Sequence, residues 1–267
     1  MKSNLIGKTA LVGGSTQGIG RAAANLLSER GVSIVLLSRN KEKLEETRLE
    51  LDTKLGQSHE ILVADFSEPS NVKRVIQNYL DQGKIINILV NNTGGPPSGS
   101  IINSSEEDFN NAFRNHLINN HNLSQLLIPG MRASGYGRII NVVSTSVKAP
   151  LNGLGVSNTV RAAVANWSKT LANELAPDSI TVNNVLPGAT STERLNEIIV
   201  RKSLNQGSSE EKIKEEMRDE IPMQRFAEPE EIARAIVFLA SSDASYITGI
   251  NFISFSKRIS EIKFICI

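Results

Sequence analysis

Short apolar runs rich in β-branched residues recur along the chain at Thr9–Val12, Ser33–Leu37, Ile61–Ala64, Ile85–Val90, Arg138–Val143, Ile180–Val185 and Ile250–Phe255. Most lack polar alternation, the pattern of strands covered on both faces. Segments of helical periodicity lie between them. Gly20–Arg30 puts Ala23, Ala24 and Leu27 on one face, and Lys41–Leu55 puts Leu44, Leu51 and Leu55 on one stripe. Glu106–Met131, Asn158–Leu175 and Pro229–Ser241 follow, the last with proline at the first helical position, where its missing N–H costs nothing. This rhythm predicts an α/β fold with a mostly parallel sheet and helices on both faces. One long polar interval, Glu193–Phe226, interrupts it. Two readings are open for it: a helical surface insertion, or a mobile lid over a pocket. Ser208 followed by Glu211 is the candidate capping box there. The chain has no internal repeat, low-complexity tract or interdomain linker.

Composition narrows the function classes. Of 267 residues, 40% are apolar and 21% charged, enough for a sizeable core. Lys plus Arg number 29 and Asp plus Glu 28, a net charge of +1. That balance gives no basic footprint for nucleic acid or an anionic membrane, and it argues against bulk disorder. The single cysteine, Cys266, excludes an internal disulfide framework and a cysteine-based zinc site, and no metal is expected. No apolar run approaches the length of a membrane span, and MKSNLIGKTALVGG lacks the apolar centre of a signal peptide. A soluble cytoplasmic protein is the expectation.

The run Gly13-Gly14-Ser15-Thr16-Gln17-Gly18-Ile19-Gly20 follows the first predicted strand and opens the first helix. A tight strand-to-helix turn needs glycine conformations, and a pyrophosphate needs backbone N–H groups at close range beside a helix N-terminus. The strand–turn–helix context is the one a dinucleotide fingerprint requires. The second strand ends at Ser38-Arg39-Asn40. A carboxylate there would bond the adenosine ribose, whereas an arginine suits a 2′-phosphate. Arg39 therefore favours NADP(H), with NAD(H) as the other possibility.

These residues resemble the short-chain dehydrogenase/reductase family. Gly14-x-x-x-Gly18-Ile19-Gly20 looks like its cofactor turn, and Asp65, followed by Phe66, stands where the family's aspartate meets adenine. Asn91-Asn92-Thr93-Gly94 resembles its Asn-Asn-Ala-Gly motif. Pro187-Gly188 with Thr192 resembles its proline-glycine turn and the threonine at the nicotinamide amide. The resemblance runs from about Lys8 to Gly249. It implies one Rossmann-type, doubly wound domain over residues 1–267 with a seven-stranded parallel sheet, the lid at about 193–226, and a homodimer or homotetramer. It also implies that Gly14, Ser15, Thr16, Gln17, Gly18, Ile19, Gly20, Arg39, Asp65, Phe66, Asn91, Gly94, Pro187, Gly188 and Thr192 hold the cofactor.

The catalytic set departs from the family's Asn, Ser, Tyr and Lys. Asn141-Val142-Val143-Ser144 matches the strand ending in the catalytic serine, and Asn158–Leu175 matches the following helix. That register puts Ser157 at the Tyr position, Arg161 at the Lys position and His116 at the Asn position. None of Tyr79, Tyr136 and Tyr246 precedes a lysine by four residues. Ser144 alone is retained. Arg161 can still hold ribose hydroxyls but cannot give up a proton.

Three readings follow. The chain is a reductase with a rewired proton donor, either His116, whose imidazole titrates near neutrality, or water relayed through Ser144 and Ser157. Or it binds dinucleotide with little turnover, as a sensor or partner subunit. Or it is a scaffold that binds neither. Gly95-Pro96-Pro97 and the altered tetrad resemble a divergent β-ketoacyl-carrier-protein reductase-like subgroup. The implied reaction is reversible reduction of a carbonyl to an alcohol on a small molecule, a 3-oxoacyl thioester being the candidate. No nucleic acid or membrane partner is implied. In place of the family's usual Asp-Gly-Gly ending, Phe252–Phe255 runs into an apolar tail, 256–267, a candidate partner-facing segment.

Overall fold

A computed structural model describes residues 5–254. The tail at 256–267, with Cys266, lies outside the described residues. Strands β1 (Thr9–Gly13), β2 (Ser33–Ser38), β3 (Glu60–Val63), β4 (Ile88–Asn91), β5 (Gly137–Val142), β6 (Ile180–Pro187) and β7 (Asn251–Ser254) form one seven-stranded parallel sheet in the order β3-β2-β1-β4-β5-β6-β7. Successive residues point to opposite faces, and each face has its own core. Val12, Ile88, Val90 and Ile140 pack under helices α1 (Gly18–Ser28) and α9 (Pro229–Ala240). Leu11, Leu89 and Ile139 pack under α3 (Pro69–Leu80) and α5 (Asn119–Ala133). Burial on both faces is why the runs show no alternation.

The structure corrects several sequence expectations. Helix α3 was not anticipated. It carries Pro69 at its start and buries Val72, Ile76 and Tyr79, with Val75 and Leu80 packed beside them. Helix α2 covers only Lys41–Glu50, because Leu51 turns extended at ψ 141°. Leu55 is therefore exposed, and the buried face is Leu44 with Thr47. Strand β4 starts at Ile88 rather than Ile85. The predicted helix 106–131 is α4 (Glu106–Ala112), a π-helical turn at Phe113–Ile118, and α5. Helix α6 spans Gly155–Leu175, starting before Asn158. The interval 193–226 contains α7 (Glu193–Gln206) and α8 (Glu210–Asp219). The cap of α8 is Ser209, whose side chain accepts from the Lys212 N–H, so the Ser208–Glu211 box is displaced by one residue.

A ladder of carboxamides crosses the sheet interior. Asn91 donates to Asn141 at 2.8 Å, Asn141 to Asn184 at 3.0 Å, and Asn184 to Asn251 at 2.9 Å. These residues are register partners on β4, β5, β6 and β7. Asn141 also donates to Ser168 Oγ of α6 at 3.2 Å.

Candidate active site

Strand order reverses between β1 and β4, and a crevice at the carboxyl ends of parallel strands is the usual ligand site of such sheets. A cavity of about 2540 Å³ lies there. Its walls run from the turn after β1, past Arg39 and Asp65, to Ser144, Ser157 and Arg161.

The turn is shaped by glycine at three places. Gly14 has φ +55° and Gly18 φ +52°, where side chains are strained. Gly20 is needed for space instead, since a Cβ there would lie 2.2 Å from the Gly14 carbonyl oxygen. Asn92, not among the expected cofactor residues, fastens this turn by donating to the Gly13 and Gly14 carbonyls at 3.2 and 3.3 Å. Its sequence signal was its place in Asn91-Asn92-Thr93-Gly94. Thr192 caps α7 and sits against Gly18, where a Cβ would come within 3.1 Å of its methyl.

At the far end of β2, the Arg39 side chain is 79% exposed and lies 3.7 Å from the Asp65 carboxylate. The carboxylate absent from β2 is thus supplied by the loop after β3. The Ser67 backbone N–H, and then Arg39, hold Asp65 below the usual carboxylate range. An exposed pair of this kind is worth only about 0.2–1 kcal/mol, so Arg39 is free to turn toward a phosphate.

Ser144 follows β5 and caps a short 3₁₀ turn at Thr145–Val147. Its Oγ accepts from the Ser146 N–H at 3.1 Å, which orients the oxygen and leaves the hydroxyl proton to donate into the cavity. Ser157 and Arg161 lie one turn apart on α6 and both line the cavity. Arg161 donates to the Val142 carbonyl at 2.8 Å. Burial, then the charge of Arg194, pushes its guanidinium down to about 10, so it stays charged at neutral pH.

Four expected site residues stand behind the walls. Ser15, Gly20, Asn91 and His116 do not line the cavity. Ser15 is fully buried, Gly20 packs on Gly14, and Asn91 is spent on the carboxamide ladder. His116 lies in the π-helical turn, 2% exposed, with Nδ1 2.6 Å from Thr93 Oγ1. Burial, then the charges of Arg161 and Arg194, pushes its imidazole well below the ordinary range. A neutral imidazole keeps one N–H but lacks the imidazolium proton, so it is a poor general acid near pH 7. Among the described residues no tyrosine lines the cavity: Tyr79 donates to Glu60, Tyr136 to the Ala240 carbonyl, and Tyr246 is fully exposed.

The depressed imidazole has a consequence for stability. The unfolded chain gains a proton near pH 6.5 while folded His116 does not, so stability falls as pH drops through that value. A buried histidine contributes up to about 1.4 kcal/mol per pH unit to this slope. His116→Asn is expected to flatten the decline between pH 6.5 and 5 in urea unfolding. Some slope persists through His59, which burial also lowers. An unchanged slope would exclude a neutral His116.

Comparison with known proteins decides the family. A family model described as Enoyl-(Acyl carrier protein) reductase matches residues 14–254. The chain belongs to the short-chain dehydrogenase/reductase family. It is 32% identical over 243 residues to the NADPH-dependent reductase BacG of Bacillus subtilis, covering 91% of this chain and 94% of that one. It is 32% identical over 248 residues to the 3-oxoacyl-(acyl-carrier-protein) reductase FabG of Vibrio harveyi, covering 92% and 95%. Among solved structures, L-sorbose reductase from Gluconobacter frateurii, complexed with NADPH and L-sorbose, superposes with a TM-score of 0.90 at 31% identity, covering 97% of this chain and 99% of that one. The seven-stranded sheet with its order reversal is the Rossmann-type domain that this membership implies. Among the described residues no helix is long and apolar enough to cross a membrane, and no cluster of three or more His, Cys, Asp or Glu is placed to hold a metal.

Proposed function

We propose that this short-chain dehydrogenase/reductase is an NADPH-dependent reductase that converts a small carbonyl compound to an alcohol, with NADH the weaker cofactor. The observation that carries the reading is one continuous cavity joining the glycine turn, Arg39, and the Ser144–Ser157–Arg161 corner. The cradle fits a dinucleotide. Gly14 and Gly18 turn the chain into the N-terminus of α1, whose first N–H groups suit a pyrophosphate, and a Cβ at Gly94 would meet nothing within 4 Å.

Bound NADPH would supply a hydride to the carbonyl carbon. Ser144 donates its hydroxyl hydrogen to the carbonyl oxygen, stabilising the charge that grows there. The proton that completes the alcohol passes from water through Ser157 and Ser144. Arg161 holds the nicotinamide ribose hydroxyls with N–H groups not used on Val142. Helices α7 and α8 cover the pocket as its lid. A homodimer or homotetramer belongs to the same reading, supported by the family resemblance. The names of the FabG relatives support a 3-oxoacyl thioester as one substrate to try.

The test is oxidation of NADPH and of NADH by a panel of ketones, aldehydes and thioesters. NADPH should be preferred. Arg39→Asp should shift the ratio of kcat/KM values toward NADH by about 10²-fold, the scale of a lost charge-assisted bond plus a new repulsion. An unshifted ratio removes Arg39 from cofactor selection. Binding of NADPH with no turnover of any substrate would instead favour a sensor or partner subunit, the reading supported by the missing phenol.

A further inference from the structure

Arg161 is a costly side chain to hold in the cavity wall. It is 9% exposed, lines the cavity, and has the Val142 carbonyl as its hydrogen-bond partner among the described residues. No carboxylate of the described residues pairs with it, and a second cation, Arg194, adds its repulsion to the cost of burial. A buried cation without a counter-ion is expensive, and two facing each other more so. Arg194 also lines the cavity. It is held there by the Pro96 carbonyl and by Glu197 at 3.0 Å, and it stands over Gly95, where a Cβ would lie 3.2 Å from its Nε. Gly95 thereby leaves room for the guanidinium in the cavity wall. Lys148 adds a third positive side chain to that wall. None of the lining carboxylates, Asp65, Glu193, Asp219, Glu220 and Glu231, is ion-paired with Arg161.

Resting on the reductase reading above, we propose that the substrate is an oxo acid, a small carbonyl compound whose own carboxylate is received by Arg194 and is drawn there also by the charge of Arg161, whose N–H groups remain on the ribose. The carboxylate is the counter-ion the pocket lacks. Guanidinium groups present paired N–H donors that match its two oxygens. Seated there, it places a neighbouring carbonyl oxygen toward Ser144. A neutral thioester would leave Arg161 uncompensated, whereas Arg194 has Glu197.

The test uses the protein loaded with NADP⁺, so that the cofactor's phosphates are already placed and no reduction occurs. Binding of 2-oxo and 3-oxo acids and of their methyl esters is measured by calorimetry. The best acid should bind at least about tenfold more tightly than its ester, the scale of one charge-assisted hydrogen bond. Arg194→Met should remove that ratio by weakening the acid and sparing the ester, and Arg194→Lys should restore part of it. Damage to the loop at Pro96 would weaken both ligands together and leave the ratio intact, which counts against the proposal. Equal binding of acids and esters, or binding of neither, overturns it. Reduction of neutral ketones by NADPH without a preference for acids overturns it while leaving the reductase reading standing. Failure to load NADP⁺ overturns both.

Discussion

Alanine at Gly20 is expected to abolish NADPH binding and to destabilise the fold by about 1–3 kcal/mol or more, the range for forcing atoms into a filled space. The added Cβ would lie 2.2 Å from the Gly14 oxygen and 2.7 Å from Asn92 Nδ2. Both belong to the turn that would cradle the cofactor, so the turn must open to admit the methyl. Urea unfolding with and without NADPH checks this. A ligand at about 100 times its Kd adds about 2.7 kcal/mol to the natural protein. The variant should gain nothing. A variant that is still stabilised by NADPH would show that the Gly14–Gly20 contact is not what shapes the site.

Ser144→Ala is expected to lower kcat by about 10²–10⁴-fold, as for loss of an oxyanion donor or general acid. NADPH affinity should hold within about twofold, because the backbone of β5 and the glycine turn are untouched; a lost cap bond of about 1 kcal/mol is the structural cost. Ser144→Thr keeps the hydroxyl and should retain part of the rate. Equal turnover by natural protein and alanine variant would take Ser144 out of the mechanism and leave Ser157 as the hydroxyl to test.

Much of the fold was legible because burial on both faces leaves a plain mark: β1, β2 and β6 are runs of branched apolar residues bounded by turn residues. Helix α3 was legible and was passed over: Val72, Val75, Ile76, Tyr79 and Leu80 repeat at helical spacing on one face, with Val75 and Leu80 packed against the core beside the three buried residues. The glycine turn could be read from spacing, since each glycine answers a local demand. The role of Asn92 could not, because it acts across the sheet on Gly13 and Gly14, 79 and 78 residues away. The environment of His116 was hidden for the same reason. Its residue type suggests a proton carrier near pH 7, but the charges of Arg161 and Arg194 and its enclosure are tertiary facts. That Arg161 of α6 and Arg194 of α7 line one cavity likewise appears only in the folded chain.

The carboxamide ladder carries a lesson about uniqueness. A parallel sheet that is greasy on both sides has little to tell one alignment of neighbours from another two residues along, since either keeps apolar groups inward. Asn91, Asn141, Asn184 and Asn251 act as registration marks: displacing any one strand leaves amides in the interior with nothing to bond, at about 1–3 kcal/mol for each stranded group. The strand ends that present Ser144 and the Pro187 turn are thus indexed to one another from inside the sheet, and the loops above them can diverge without the frame losing its place.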